Sequence, residues 1–179
     1  MMFARTPRLT LRPGWPEDAP ALHHAIAHEA VAMRLARLPW PYTLDHAQAW
    51  LDAPATADNH PLLIWAHDRD VAPELIGGIG LHPDGQELEL GYWLTPAAWG
   101  CGYATEAGRA VVAMARHALG RDRLVSGHFV DNPASGRVLQ KLGFRPNGRE
   151  QRHCLARGEE VECLTFELDL AEQPAALAA

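Results

Sequence analysis

Gly91-Tyr-Trp-Leu-Thr-Pro-Ala-Ala-Trp-Gly-Cys-Gly-Tyr-Ala-Thr-Glu-Ala-Gly108 is the stretch on which the reading of this chain turns. Just before it, Glu87 and Glu89 alternate with Leu88 and Leu90, the period-2 pattern of a strand running to Leu94. Pro96 ends that pattern, Gly100 and Gly102 mark a turn, and helical spacing of apolar residues follows as far as Leu119. A strand, a glycine turn and a helix start outline an anion site. The first N–H groups of a helix lack internal partners, and its macrodipole is positive there. Gly100 and Gly102 carry no Cβ, so a phosphate could approach their backbone closely. A plain tight turn between strand and helix accounts for the same residues, and both readings stand at this point. Two nucleotide motifs are excluded. There is no Gly-x-x-x-x-Gly-Lys-[Ser/Thr], and Thr105 occupies the place of the third glycine in Gly-x-Gly-x-x-Gly.

Working outward, Leu62–His67 and Leu75–Leu81 read as strands, with Asp68-Arg-Asp70 as a hairpin tip and His82-Pro-Asp-Gly85 as a second turn. With Glu87–Leu94 they predict an antiparallel meander crossed by the Ala104–Leu119 helix, which packs through Val111, Val112 and Ala115 and stops at Gly120. Upstream, Leu9–Arg12 reads as a strand ended by Pro13-Gly14. Glu17-Asp18 open a helix that carries Leu22, Ile26 and the histidines 23, 24 and 28. Thr43 is the expected N-cap of another helix, after the stiff linker Leu38-Pro-Trp-Pro-Tyr42 and before the Ala- and Pro-containing loop from Asp52 to His60. Downstream, Leu124–Val130 reads as a strand. Asn132 then caps a helix with Pro133 at its first position and Gly143 at its end. Gly136 stands out inside this helix, where glycine costs about 1 kcal/mol relative to alanine. Arg152–Leu155 and Val161–Leu168 form a closing hairpin around Arg157-Gly158.

The chain of 179 residues is long enough for one domain with a sizeable core. Its 47% hydrophobic and 21% charged content is that of a soluble globular protein, and no apolar run reaches a membrane span of about 20 residues. The opening Met-Met-Phe-Ala-Arg-Thr-Pro has no signal-peptide core, and three cysteines without Cys-x-x-Cys suit a reducing compartment, so a cytoplasmic location is expected. Cys154 and Cys163 are expected to be free core thiols. A net charge of −6 with no basic stripe argues against nucleic acid. His24 and His28, four apart, are a potential metal pair but lack a third ligand at matched spacing, so no metal is expected.

Trp99-Gly-Cys-Gly-Tyr-Ala104 resembles the Arg/Gln-x-x-Gly-x-Gly/Ala loop that holds acetyl-CoA in the GNAT superfamily of N-acetyltransferases. The wider 91–107 run looks like the RimJ/RimL branch, the ribosomal-protein N-terminal acetyltransferase type. Asp131-Asn-Pro-Ala-Ser-Gly-Arg-Val-Leu-Gln-Lys-Leu-Gly-Phe144 is similar to that branch's Asn-x-x-Ser…Lys-Leu-Gly-Phe segment. The opening Thr6-Pro-Arg-Leu-Thr-Leu-Arg-Pro13, with Glu17-Asp18-Ala19, makes a third block. The resemblance implies an α+β fold, a largely antiparallel sheet of six to seven strands flanked by about four helices. It implies a single N-acetyltransferase domain over 1–170, with a frayed Ala-rich tail over 171–179. It also implies acetyl-CoA as cosubstrate and an amine acceptor: a protein N-terminus, or a small amine such as a polyamine, amino acid or aminoglycoside. A homodimer is left open, and a non-catalytic acyl-CoA-binding module is the rival from another class.

By the same resemblance, Glu89 takes the place of the base, with Glu87 second. Ser135 replaces a helix tyrosine, absent here, as acid to the leaving thiolate. Backbone groups of Trp93 and Leu94 would pair with the pantetheine arm, and Asn132 and Ser135 would also contact the cofactor. Trp99, Gly100, Cys101, Gly102, Tyr103, Ala104 and Thr105 would cradle the diphosphate. Arg109, Arg137, Lys141 and Arg145 supply cations near the two blocks, Arg137 and Lys141 from one helix face. Trp40 and Tyr42, with Glu89, would meet the acceptor; Trp50 is a further aromatic there. His128 is a rival base. The departures from the family pattern are Trp99 at the Arg/Gln position, Cys101 in the loop, and Gly136 where a basic residue is common. Cys101 receives only a backbone role, because direct transfer needs no acyl-enzyme. An α-amino group, with a pKa near ~7.7–8.0, is partly neutral at physiological pH, while lysine near ~10.4 needs more help from a base.

Overall fold

The expected meander forms the middle of a larger sheet in the computed structural model of the chain, which describes residues 3–53, 56, 59–69 and 71–171. The strands are β1 (Ala4–Arg5), β2 (Leu9–Arg12), β3 (His60–Ala66), β4 (Glu74–Asp84), β5 (Glu87–Leu94), β6 (Arg123–Phe129), β7 (Arg145–Cys154) and β8 (Glu159–Asp169). They lie in the order β1-β2-β3-β4-β5-β6-β8-β7. Every neighbouring pair is antiparallel except β5 and β6, which run parallel. Among the described residues five α-helices accompany them: α1 (Ala19–Ile26), the single turn α2 (Glu29–Ala32), α3 (Leu44–Asp52), α4 (Tyr103–His117) and α5 (Pro133–Lys141). The mixed architecture is the expected one, with one strand more than the upper expectation.

Side-chain alternation assigns the two faces. On β3, Leu62, Ile64 and Ala66 join the core under α4 and α5, together with Leu88 and Leu90 of β5 and Val111 of α4. Leu63 and Trp65 point the other way, into a second cluster with Leu22 and Ile26 of α1 and Ala47 of α3. A one-residue slip of β3 would exchange these sets, so burial on both faces fixes its register. Asp18 anchors the start of α1. Its carboxylate accepts two bonds from the Arg12 guanidinium, at 2.7 and 2.8 Å, and one from the Trp15 N–H. Thr43 caps α3 as expected, accepting from His46 N while His46 Nδ1 accepts from Thr43 N.

Several boundaries differ from the expectations. His82, Pro83 and Asp84 belong to β4, and the turn is confined to Gly85, with φ of 60°, and Gln86. Pro83 is tolerated because it lies past the last β3–β4 pair, His60 with Leu81, where one flank of the strand has no partner. α1 ends at Ile26, so His28 is not on the helix of His24, and the four-residue spacing joins no pair. The closing hairpin starts at Arg145, not Arg152. β7 is an edge strand of mostly exposed polar residues, held by backbone pairing to β8, and it carries no hydrophobic period. Cys154 and Cys163 are buried and free, opposite Glu159 and Glu150 respectively. Asp70 of the hairpin tip, parts of the 52–60 loop and the tail beyond Ala171 lie outside the described residues. Among the described residues, no helix is long and apolar enough to cross a membrane.

Candidate active site

The site forms where β5 loses its partner. The β5–β6 ladder holds one registered pair, Glu89 with Val125. Next to it the Ser126 hydroxyl donates to Leu90 O at 2.7 Å. From Gly91 onward β5 has no strand on that side, and a cleft of about 1880 Å³ opens. α4 and α5 both begin at this cleft. Gly102 is the N-cap of α4, with φ of 83°, and no side chain caps its first turn. Gly100 is also left-handed, with φ of 74°, and a Cβ there would meet nothing within 4 Å. α5 likewise has no side-chain cap, since the Asn132 side chain makes no capping bond. Two helix starts with free N–H groups, bare glycine backbone, and Arg137 and Lys141 on the lining suit an anionic cosubstrate with a diphosphate.

The cofactor residues named from sequence divide by role. Trp93, Leu94, Trp99, Gly100, Gly102, Ala104, Thr105, Asn132 and Ser135 all line the cleft. Cys101 is exposed, and the Tyr103 phenol turns away to donate to Asp68 at 2.8 Å, so these two offer backbone only. The Trp99 indole N–H donates to Leu94 O at 2.9 Å, which ties the glycine turn to the end of β5. Behind the turn, Arg8 donates to Cys101 O and, with its Nε, to Glu106 in the first turn of α4. Arg109 and Arg145 lie off the cleft.

Glu89 is 9% exposed and points to the face opposite Leu88 and Leu90. Its carboxylate pairs with the Arg152 guanidinium, which also binds Glu150. Arg152 reaches β5 from β7, past β8 and β6. Gly127 of β6 leaves the lane clear, since a Cβ there would stand 3.7 Å from Arg152 Cζ and 2.9 Å from Cys163 Sγ. Burial works against the Arg152 charge, but the two carboxylates outweigh it and hold its pKa above the ordinary value. Beside Glu89 is His82, its register partner on β4, whose imidazole lies on the Gly91 backbone. Burial lowers the His82 pKa, the nearby Glu89 charge opposes this, and Arg37 adds to it. Reading His82 as a turn residue hid its place in the cleft.

Ser135 sits in the first turn of α5, and its hydroxyl is 2.7 Å from the Tyr92 phenol oxygen. Sequence reading missed Tyr92, although its even position on β5 puts it on the α5 side with Leu88 and Leu90. Burial pushes the Tyr92 pKa up to about 12, against the lowering effect of the Ser135 bond. His128 is 7% exposed. Its Nδ1 donates to Phe129 O at 2.8 Å, and Nε2 is the ring nitrogen on the side of residue 136. That nitrogen would be 2.6 Å from a Cβ at residue 136, so glycine stands there to admit the imidazole. Of the residues expected to meet the acceptor, Tyr42 lines the cleft and Trp40 does not; burial pushes the Tyr42 pKa up to about 12. Trp50 is on the lining as well. Among the described residues, no group of three or more His, Cys, Asp or Glu is arranged for a metal.

A parallel strand pair that parts over two open helix starts suits a transferase with an anionic, extended cosubstrate. The acetyltransferase (GNAT) domain matches residues 8–145. An uncharacterized N-acetyltransferase of Bacillus subtilis (strain 168), YoaA, is 32% identical over 167 residues, covering 91% of this chain and 94% of that protein. The chain therefore belongs to the GNAT family and is an acetyl-CoA-dependent N-acetyltransferase. Its solved structural neighbours include RimL, the ribosomal L7/L12 alpha-N-protein acetyltransferase, in complex with coenzyme A. RimL is 19% identical, with a TM-score of 0.79 over 94% of this chain and 98% of that one. A spermidine N-acetyltransferase from Vibrio cholerae, with CoA and spermine, is 15% identical, with a TM-score of 0.78 over 93% and 98%.

Proposed function

We propose that this enzyme acetylates a primary amine, a protein N-terminal α-amine above all, by direct attack within a ternary complex. The observation that carries the reading is the continuity of the cleft, which takes in Glu89, the free edge of β5, Ser135 and both helix starts. Its volume of about 1880 Å³ exceeds the ~300–1,000 Å³ usual for a small-ligand pocket, so a cosubstrate arm and a chain end fit together. The diphosphate would lie on the N–H groups of the Gly100–Gly102 turn and α4 start, and the pantetheine arm along the β5 edge at Trp93 and Leu94. Glu89, directly or through a water, takes a proton from the amine. The amine nitrogen bonds to the thioester carbon, the carbon–sulfur bond breaks, and Ser135 supplies hydrogen to the sulfur.

The acceptor is tested by following thiol release from acetyl-CoA with five classes. These are peptides with free N-termini, N-blocked lysine peptides, polyamines, amino acids and aminoglycosides. Turnover with free N-termini and none with the N-blocked lysine peptides is the expected result. Turnover confined to polyamines, as the name of the Vibrio cholerae spermidine N-acetyltransferase would suggest, or to another small amine would replace the N-terminal reading. No turnover in a Glu89→Gln variant that still binds coenzyme A supports the base assignment.

A further inference from the structure

We propose that Tyr92 acts through Ser135, the two hydroxyls forming one hydrogen-bond relay that turns onto the sulfur as the thioester breaks. The inference rests on the role given to Ser135 above and explains how so weak an acid could serve. Tyr92 leaves β5 on the α5 side and crosses the gap where the β5–β6 ladder has ended. Its phenol oxygen lies 2.7 Å from Ser135 Oγ and 3.0 Å from Ser135 O. One phenolic hydrogen therefore has two acceptors within reach.

The two choices differ in consequence. If Tyr92 donates to the Ser135 carbonyl, the serine hydroxyl donates back to the phenol, and its hydrogen is held on the phenol oxygen. If Tyr92 donates to Oγ instead, the serine hydrogen is free to turn into the cleft. Switching needs only rotation about two C–O bonds, with no heavy atom moving. Negative charge gathering on the sulfur favours the second arrangement, because a hydroxyl that accepts a bond becomes a better donor and bonds to an anion are the strong ones.

The same contact settles where the charge goes. Even with its pKa pushed up to about 12 by burial, the Tyr92 phenol holds negative charge better than the serine alcohol does. When the sulfur takes the Ser135 hydrogen, the Tyr92 hydrogen moves onto Oγ. The proton removed from the amine at Glu89 then returns through solvent to the phenolate, so atoms and charge balance. Burial keeps Tyr92 protonated between turnovers, with its pKa pushed up to about 12.

The alternative is that Tyr92 is only a strut joining β5 to α5. The test compares Tyr92→Phe, Ser135→Ala and the double variant by kcat for thiol release from acetyl-CoA with whichever of the five acceptor classes wild type turns over, calorimetric coenzyme A affinity and thermal stability. The Phe variant keeps the ring and loses only the hydroxyl. The relay predicts that Y92F lowers kcat about tenfold, near the value of one transition-state hydrogen bond, with coenzyme A affinity unchanged. It predicts that S135A loses at least as much and that Y92F adds nothing in the S135A background. Wild-type kcat in Y92F with a slow S135A would overturn the relay and leave Ser135 as acid. A full Y92F penalty persisting in S135A, or weaker coenzyme A binding and a lower Tm in step with kcat, would make Tyr92 a strut. Wild-type kcat in S135A would remove the Ser135 role itself, and the relay with it.

Discussion

Replacing Glu106 by alanine should damage both the stability of the fold and the Gly100–Gly102 turn that we propose holds the cosubstrate. The Glu106 carboxylate accepts from the Thr6 hydroxyl at 2.6 Å, from Arg8 N at 3.0 Å and from Arg8 Nε at 2.7 Å. It thus binds the first turn of α4 to the chain entering β2. A hydrogen bond to a charged group contributes about 1.5–3 kcal/mol. Three such bonds to one carboxylate are not additive, and with 36% of the Arg8 side chain and 17% of the Glu106 side chain exposed, water screens part of the gain. The expected loss is about 3 kcal/mol, which in a chain of this size lowers Tm by about 6–12 °C. Arg8 also donates to Cys101 O at 3.1 Å and lies 4.5 Å over the Tyr103 ring, so an unanchored Arg8 loosens the Gly100–Gly102 turn and weakens coenzyme A binding. Thermal unfolding and calorimetry with coenzyme A read both effects. A Tm within about 2 °C of wild type, at unchanged affinity, would refute the argument. The pH dependence supplies a second check. Burial pushes the Glu106 carboxyl up, but the Thr6 and Arg8 bonds more than reverse this and leave its pKa lowered. Its contribution is therefore complete above the ordinary carboxylate range and disappears as pH falls through the lowered value. Glu106→Gln should flatten that acid limb.

Gly136→Ala should cost about 1 kcal/mol in urea unfolding, because crowding His128 outweighs the gain in helix propensity. In a His128→Ala background most of that cost should vanish; an unchanged cost would place the strain elsewhere. Arg152→Met strips Glu89 and Glu150 of their shared counter-charge and should destabilise by about 2 kcal/mol, less than a fully buried pair because Arg152 keeps 25% exposure. Equal stability of the variant would mean that the pair is open to solvent. His82 has a lowered pKa in the fold, so below the unfolded histidine value of ~6.5 the unfolded chain binds more protons. Stability should therefore be full above that pH and fall below it, and His82→Asn should remove this share of the fall. Arg157→Ala frees the 33–36 segment of the cleft wall, because Arg157 Nε donates to Met33 O at 2.8 Å and its guanidinium pairs with Asp131. Faster amide exchange at 33–36 is the expected result.

The outline of this enzyme was legible from local signals, and its active chemistry only in part. The strand–glycine–helix stretch, the Thr43 cap, the Pro133 helix start and the Gly120 and Gly143 stops are decided by a few neighbouring residues, and each appears where the sequence places it. The β5 alternation set the face of Glu89 within a few residues, and Glu89 lines the cleft, but its choice as a base came from the family resemblance alone. Where long-range pairing decides, the sequence was silent. β7 has no apolar period, since its only requirement is a backbone ladder with β8. His82 looked like turn chemistry because Pro83 and Gly85 are turn residues, and only the early end of β3 lets the strand continue past them.

The sequence by itself determined the class of the protein through three local blocks that resemble the GNAT family, at 6–19, 91–107 and 131–144, while the glycine turn alone left a tight turn and an anion cradle equally open. It determined as well which residues face the core, through period and propensity. Only the tertiary structure decided what surrounds Glu89 and Ser135. Arg152 meets Glu89 from 63 residues away, and Tyr92 meets Ser135 from 43. Those encounters depend on the order in which strands stack and on where one parallel pair comes apart, and no local rule of backbone or side chain carries that information.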